Sequence, residues 1–278
     1  MVEKRMTKTL CFLLFFVSFF SLSSKAEHIV FVGGINNEQV PHYFESFKSL
    51  LKSRGSHRVS VLMPSSLKTV MENTTSLRTK LLEAYRSNSE PLIVIAHSKG
   101  GLEVAHTLAL FAKDFPFSII KCAVYSNTPF QGSPYMARSI DDFKEQWGRG
   151  GNQYNPIYLN ALRVLNSLRT ENIASDLQKS FSKLSPEEKK SLSERTVYLR
   201  TQKDAADVPE FMKKSAEFLK SFGPNDGFIP VDNQRLKDFG RDVGIQNDID
   251  HTDLFMQEWS SESVQSVRME AFLKKIDL

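Results

Sequence analysis

Residues 92–101, LIVIAHSKGG, constrain this chain more than any other stretch. Leu92 to Ala96 is apolar throughout, the pattern of a central strand covered on both faces in a parallel sheet. A helical pattern from Gly101 to Phe111 follows with only a tight turn between them. Such a strand-to-helix turn strains the backbone of its central residue, so the positions two before and two after must be small. Ala96 and Gly100 meet that need. Ser98 is then lifted above the sheet, where its hydroxyl can meet a substrate carbonyl.

The rest of the chain repeats the rhythm. Runs rich in β-branched residues at Ile29 to Val32, Arg58 to Met63, Ile119 to Ser126, Val197 to Thr201 and Asp242 to Gln246 read as further strands. Residues 39–53 and 75–87 place apolar side chains at helical spacing between them. Strands alternating with helices predict an α/β fold with a mostly parallel central sheet flanked by helices. One segment, about 132–195, breaks the alternation. It holds a glycine-bearing loop (Gly148, Gly150, Gly151) and an amphipathic stretch with Ile157, Ala161, Leu165 and Leu168. A further helix is announced by Ser185-Pro186-Glu187-Glu188, a capping serine with proline in the first turn and glutamate three residues on. This helical insertion reads either as a lid or as peripheral packing.

The first 26 residues stand apart. Lys4, Arg5 and Lys8 precede an apolar run from Leu10 to Leu22, too short for a bilayer span of about 20 residues, which ends in Ser24-Lys25-Ala26. This order predicts a cleavable signal peptide over 1–26, a secreted or periplasmic protein, and one domain over 27–278. The full chain has 36 basic and 32 acidic residues. The leader takes four of the former (Lys4, Arg5, Lys8, Lys25) and one of the latter (Glu3), leaving 32 against 31 and a net charge of +1. A nearly neutral chain without a Lys/Arg stripe gives nucleic acid no electrostatic footing. Of the two cysteines, Cys11 leaves with the leader, and Cys122 lies in a strand run as a small apolar residue. Asn73-Thr74-Thr75 is a glycosylation sequon in a host that uses one.

A serine nucleophile needs a base, and the base needs an orienting carboxylate. In a strand-turn-helix architecture of this kind the chain order is Ser, acid, His. Beyond Ser98 and the helical His106, His251 is the one histidine left, in Asp248-Ile249-Asp250-His251-Thr252-Asp253. Asp226, in the turn Pro224-Asn225-Asp226-Gly227, is the favoured acid, with Asp204 as its competitor. A tetrahedral intermediate also needs two backbone N–H donors. Lys99 supplies one, and Gly34 or Ile35, in the loop after the first strand, supplies the other.

The sequence resembles the α/β-hydrolase superfamily, and within it the bacterial lipases and esterases. Four segments carry the likeness: Val32-Gly33-Gly34-Ile35, the Ala96-to-Gly101 elbow, Asn127 to Pro134 (NTPFQGSP), and the Asn-Asp-Gly turn followed by His251. In these enzymes the aspartate of that turn is the triad acid, which supports Asp226. The third segment resembles a lipase Thr-Pro-His-x-Gly stretch beside the elbow. It implies that Phe130, standing where the histidine would be, and Gly132 line the substrate pocket. The likeness further implies hydrolysis of carboxylic esters through an acyl-enzyme. No cofactor is required, although a structural calcium is implied on Asp253, with Asp204 or Asp207 as further oxygen donors. The expected partner is an ester or lipid, with interfacial contact to lipid. Oligomeric state is left open. Two other readings share these residues: a phospholipase or acyltransferase on membrane lipids, with an amphipathic lid at 154–181, and a silent binding protein that kept the fold.

Overall fold

The computed structural model describes residues 27–276 apart from 39, 41, 56, 148–155 and 256–261. The predicted leader and the glycine-bearing loop at 148–151 lie outside the described residues.

Six strands form one sheet: β1 (His28–Val32), β2 (Arg58–Leu62), β3 (Leu92–His97), β4 (Ile120–Ser126), β5 (Thr196–Thr201) and β6 (Arg241–Gln246). Their order is β2-β1-β3-β4-β5-β6, and every pairing is parallel. The register sets Val32 beside both Leu62 and Ala96, so the nucleophile's strand runs one residue, His97, beyond the end of the first. In β1 and β3 successive side chains alternate between two buried faces, which is why these two strands read as nearly unbroken apolar runs. Val30, Val32, Val94 and Ala96 face α2 (Val70–Arg86) and α3 (Lys99–Leu110), whereas Ile29, Phe31, Ile93 and Ile95 face α1 (Glu45–Arg54) and α9 (Glu262–Lys275).

Helix boundaries differ from the sequence expectation where local chemistry intervenes. The helix expected over 39–53 starts only at Glu45, because His42 and Phe44 adopt left-handed φ values of 61° and 67°. The helix expected at 75 starts at Val70, nucleated by a reciprocal capping box between Thr69 and Glu72. The expected 132–195 insertion holds four helices and no strand among the described residues: α4 (Pro134–Trp147), α5 (Pro156–Ser167), α6 (Thr170–Phe181) and α7 (Pro186–Glu194). The Ser185–Glu188 capping box opens the last of these as anticipated. Sequence reasoning did not pick out α4, nor α8 (Glu210–Leu219) between β5 and β6, nor α9. Between Asp226 and β6 the chain makes a short 3-10 turn, Val231–Gln234. Cys122 is half-buried and unbridged, not fully buried. No described helix is long and apolar enough to cross a membrane.

Candidate active site

β3 ends at His97 and α3 begins at Lys99, leaving Ser98 alone in the turn with φ 54° and ψ −131°. A non-glycine residue rarely holds such dihedrals, and the surrounding packing enforces them. A Cβ on Gly100 would collide with the Gly33 carbonyl, one on Gly101 with the Thr128 side chain, and one on Gly34 would lie 2.8 Å from the Ser98 Cβ. The loop after β1 is therefore pressed against the elbow, backbone to backbone. The Ser98 amide donates to the Ser126 carbonyl at 3.1 Å, locking the turn to the end of β4.

Ser98 Oγ lies 2.9 Å from His251 Nε2, and His251 Nδ1 lies 2.8 Å from Asp226 Oδ2. The serine hydroxyl donates to the ring, and the ring's other N–H donates to the carboxylate. Asp226 is fully buried, while Ser98 and His251 retain 9% and 7% exposure, enough for one face of the site to meet a ligand. The two oxygens of Asp226 divide their work. Oδ1 accepts the amides of Phe228 and Ile229 at 2.9 and 2.7 Å, closing the Asn-Asp-Gly turn. Oδ2 serves the histidine and also accepts from Asn127 Nδ2 at 2.8 Å. The competing acid, Asp204, caps its own turn by accepting the Ala206 amide at 2.9 Å.

The Lys99 amide opens α3, where first-turn N–H groups have no intrahelical acceptor. Its side chain turns the other way, into a buried ion pair with Glu103 and a 3.3 Å bond to the Ser65 carbonyl. Burial pushes the Glu103 carboxyl up to about 7 in spite of that lysine. Of the two oxyanion candidates after β1, Gly34 donates its amide to the Tyr43 hydroxyl at 3.2 Å. The Gly34 amide is thus engaged, whereas Ile35 lines the cavity in front of Ser98.

That cavity has a volume of about 500 Å³. Its walls are mainly apolar: Ile35 and Val40 from one side, Met136 and Leu165 from the insertion, Phe211 and Phe228 from beyond β5. Phe228 also meets the His251 ring edge-on, with centroids 5.4 Å apart.

No protein-family model matches the chain, and no curated protein does. Solved structures do match. The Bacillus licheniformis lipase BlEst2 in mature form aligns over 90% of this chain and 91% of its own, with TM-score 0.65 and 18% identity. The metagenomic carboxyl esterase MGS0156 aligns over 91% and 76%, with TM-score 0.63 and 14% identity. The chain has the α/β-hydrolase fold. Phospholipase PlaB from Legionella pneumophila is also similar, at TM-score 0.50 and 14% identity over 76% of this chain, which spans less than half (45%) of that protein.

Within this hydrolase fold, three expectations need correction. Phe130 does not line the cavity: it is 2% exposed and packs edge-on against Tyr125 and Tyr198, with centroids 5.2 and 5.3 Å away. Gly132 holds a left-handed φ of 72° with its α-carbon against Thr170, so it joins the insertion to the core instead of facing substrate. Their neighbours Pro129 and Ser133 face the cavity. The segment turns sharply here, and adjacency to the elbow in sequence does not reveal which side chains point inward.

Asp253 is the third. Its Oδ2 faces Lys203 Nζ at 3.0 Å and Arg268 Nη1 at 2.7 Å, and it accepts the Asp250 amide at 3.0 Å. Lys203 bridges on to Asp250 at 2.8 Å, so an ammonium group stands where calcium was expected. Asp204 is turned to its own backbone, and no cluster able to hold a metal occurs among the described residues. The sequon asparagine is likewise engaged. Asn73 is 3% exposed, with Nδ2 donating to the Ser65 carbonyl and to Glu103, leaving no room for a glycan on the folded protein.

Sequence reasoning overlooked Asn127, His97 and Tyr43. Asn127 carried a signal in its neighbours, since asparagine before Thr-Pro suits the left-handed φ of 52° it adopts. His106, passed over in the sequence as a helical histidine, is buried with Nδ1 2.8 Å from Ser180 Oγ, tying α6 to α3.

Proposed function

We propose that this protein is an exported serine hydrolase that cleaves carboxylic esters of lipid type through an acyl-enzyme. The observation that carries the reading is the unbroken Ser98–His251–Asp226 hydrogen-bond chain opening into an apolar cavity. Ser98 Oγ attacks the ester carbonyl while His251 Nε2 takes its proton. The amides of Lys99 and Ile35 hold the resulting oxyanion. His251 returns the proton to the leaving alcohol, and water, activated by the same imidazole, releases the acid. Asp226 keeps the ring in the required tautomer and stabilises its positive charge.

Apolar walls suit an acyl chain better than a sugar or a peptide. Phe211, half exposed at the cavity, continues that character outward with the exposed Phe218 and Phe222. This favours a lipid ester over a small soluble one, and it keeps phospholipid within the substrate class. The basic, apolar leader supports export, and N-terminal sequencing of the mature protein reads it directly.

The test is a panel of p-nitrophenyl esters, triglycerides and phospholipids run on the wild type and on Ser98→Ala. Loss of turnover and of fluorophosphonate labelling in the variant is the expected result. Labelling absent from intact wild-type protein would instead mark a silent binding protein, and turnover retained by Ser98→Ala would remove the assignment.

A further inference from the structure

Two buried polar side chains beside the triad take no part in the chemistry above. Tyr43 follows the oxyanion loop and is 3% exposed, and His97, one residue before the nucleophile, is fully buried. The Tyr43 hydroxyl meets His97 Nδ1, and His97 Nε2 lies 2.9 Å from the His251 carbonyl oxygen. The remaining bond is the one from the Gly34 amide to the Tyr43 oxygen, at 3.2 Å.

The polarity of this chain is fixed by its ends. A carbonyl oxygen only accepts, so His97 carries its proton on Nε2. Burial keeps His97 neutral, with His251 acting in the same direction, and its Nδ1 is then a lone pair that must accept. The Tyr43 O–H donates to it, and the Tyr43 oxygen accepts from Gly34. Each of the four groups has one role, and none can be reversed without orphaning a buried polar atom.

The connections matter more than the bonds. Adjacent residues 97 and 98 both reach residue 251: Ser98 touches its ring, and His97 holds its carbonyl. The His251 amide donates to the Asp226 carbonyl at 2.8 Å, so the backbone of the base is gripped on both sides. At the other end, Gly34 immediately precedes the oxyanion donor Ile35. One chain thus joins the oxyanion loop, the elbow and the histidine loop, which come from the ends of three different elements.

We propose that Tyr43 and His97 are positioning residues that hold the oxyanion loop and the catalytic histidine in register with Ser98. The proposal rests on the hydrolase reading. A displacement of about 1 Å at either loop suffices to cost on the order of 100-fold in rate. Because an oxyanion donor acts mainly in the transition state, the loss should fall on kcat.

The experiment measures p-nitrophenyl butyrate hydrolysis and the rate of fluorophosphonate labelling, both normalised to titrated active sites, alongside thermal midpoints. Tyr43→Phe should lower kcat per active site roughly 10- to 100-fold and slow labelling in parallel, with KM changed less than about threefold. His97→Leu should behave the same way. His97→Gln, whose amide can replace the Nε2 donor to the His251 carbonyl, should recover most of the loss. A merely structural role predicts lower midpoints and fewer titratable sites with kcat per site intact, and that outcome overturns the proposal, as does a His97→Gln variant no better than His97→Leu. Ser98→Ala separates the two readings: if it abolishes turnover while Tyr43→Phe leaves kcat per site unchanged, the positioning role fails and the hydrolase stands. If wild-type protein neither turns over nor labels, both fall.

Discussion

Asp226 holds His251 twice. Its carboxylate accepts from the ring Nδ1 at 2.8 Å, and its main-chain carbonyl accepts the His251 amide at the same distance. The acid thereby sets both the tautomer of the base and the path of the backbone that carries it.

Asp226→Asn separates these functions. The asparagine keeps an oxygen for the Phe228 and Ile229 amides and leaves the main-chain bond untouched, so the turn persists. Its NH₂ replaces the acceptor for Nδ1–H, which favours the wrong tautomer. By the magnitude such a change has in a serine triad, kcat should fall about 10³- to 10⁴-fold, and the thermal midpoint should fall as well, because the buried Asn127 N–H loses its acceptor. Steady-state kinetics and a melting curve on the same preparation check both halves.

Acid should loosen the attachment of the insertion. Burial lowers His106 to about 4, against an ordinary value of 6.5. Below 6.5 the unfolded chain binds a proton that the folded chain refuses, so stability falls as pH drops from about 6.5 to about 4 and then levels off. The full difference corresponds to about 3 kcal/mol. His97 is shifted in the same direction, so both contribute. His106→Asn can still donate to Ser180 and does not titrate. Its unfolding midpoint should depend on pH less steeply than that of the wild type, and equal slopes would sink the assignment.

Lys203 should matter to the His251 loop. Replacing it with methionine leaves the buried Asp250 without its ammonium partner and Asp253 with Arg268 alone. Removing one partner of such a pair is expected to cost about 3 kcal/mol, read as a shift in urea midpoint. Calcium should not restore the loss, and chelation should leave the wild type unmoved. Recovery by calcium would show that the two carboxylates form a cation site after all.

All six strands were legible, with ends within a residue of the reading. The inner strands were legible because a sheet buried on both faces writes itself as continuous apolar runs, whereas the half-exposed edge strands β2 and β6 carry only Val59, Val61 and Leu62, and Val243 and Ile245, among polar residues. The elbow and its histidine were legible for a different reason: a strand, a turn with small neighbours and a helix leave few ways to fold. What escaped depends on direction. The α4 helix carries Met136, Ile140 and Phe143 at helical spacing, yet it follows a Gly-Ser-Pro turn that reads as loop. Phe130 sits two residues after Thr128, and nothing in the sequence tells which side of the sheet its ring takes. His97 looked like a spacer between Ala96 and Ser98. Its role needs Tyr43 and His251, which only the folded chain brings to it.

The bond from His106 to Ser180 has a mechanical consequence. Helix α3 starts at the nucleophile, and α6 is fastened to it both by this bond and by the buried Ile173 and Leu177. The later half of the insertion is therefore tied to the helix that begins at the nucleophile, so a load on α6 is carried into α3. The earlier half, which lines the cavity through Met136 and Leu165, is braced elsewhere, α4 to Lys214 through Asp142 and α5 to Glu72 through Arg163.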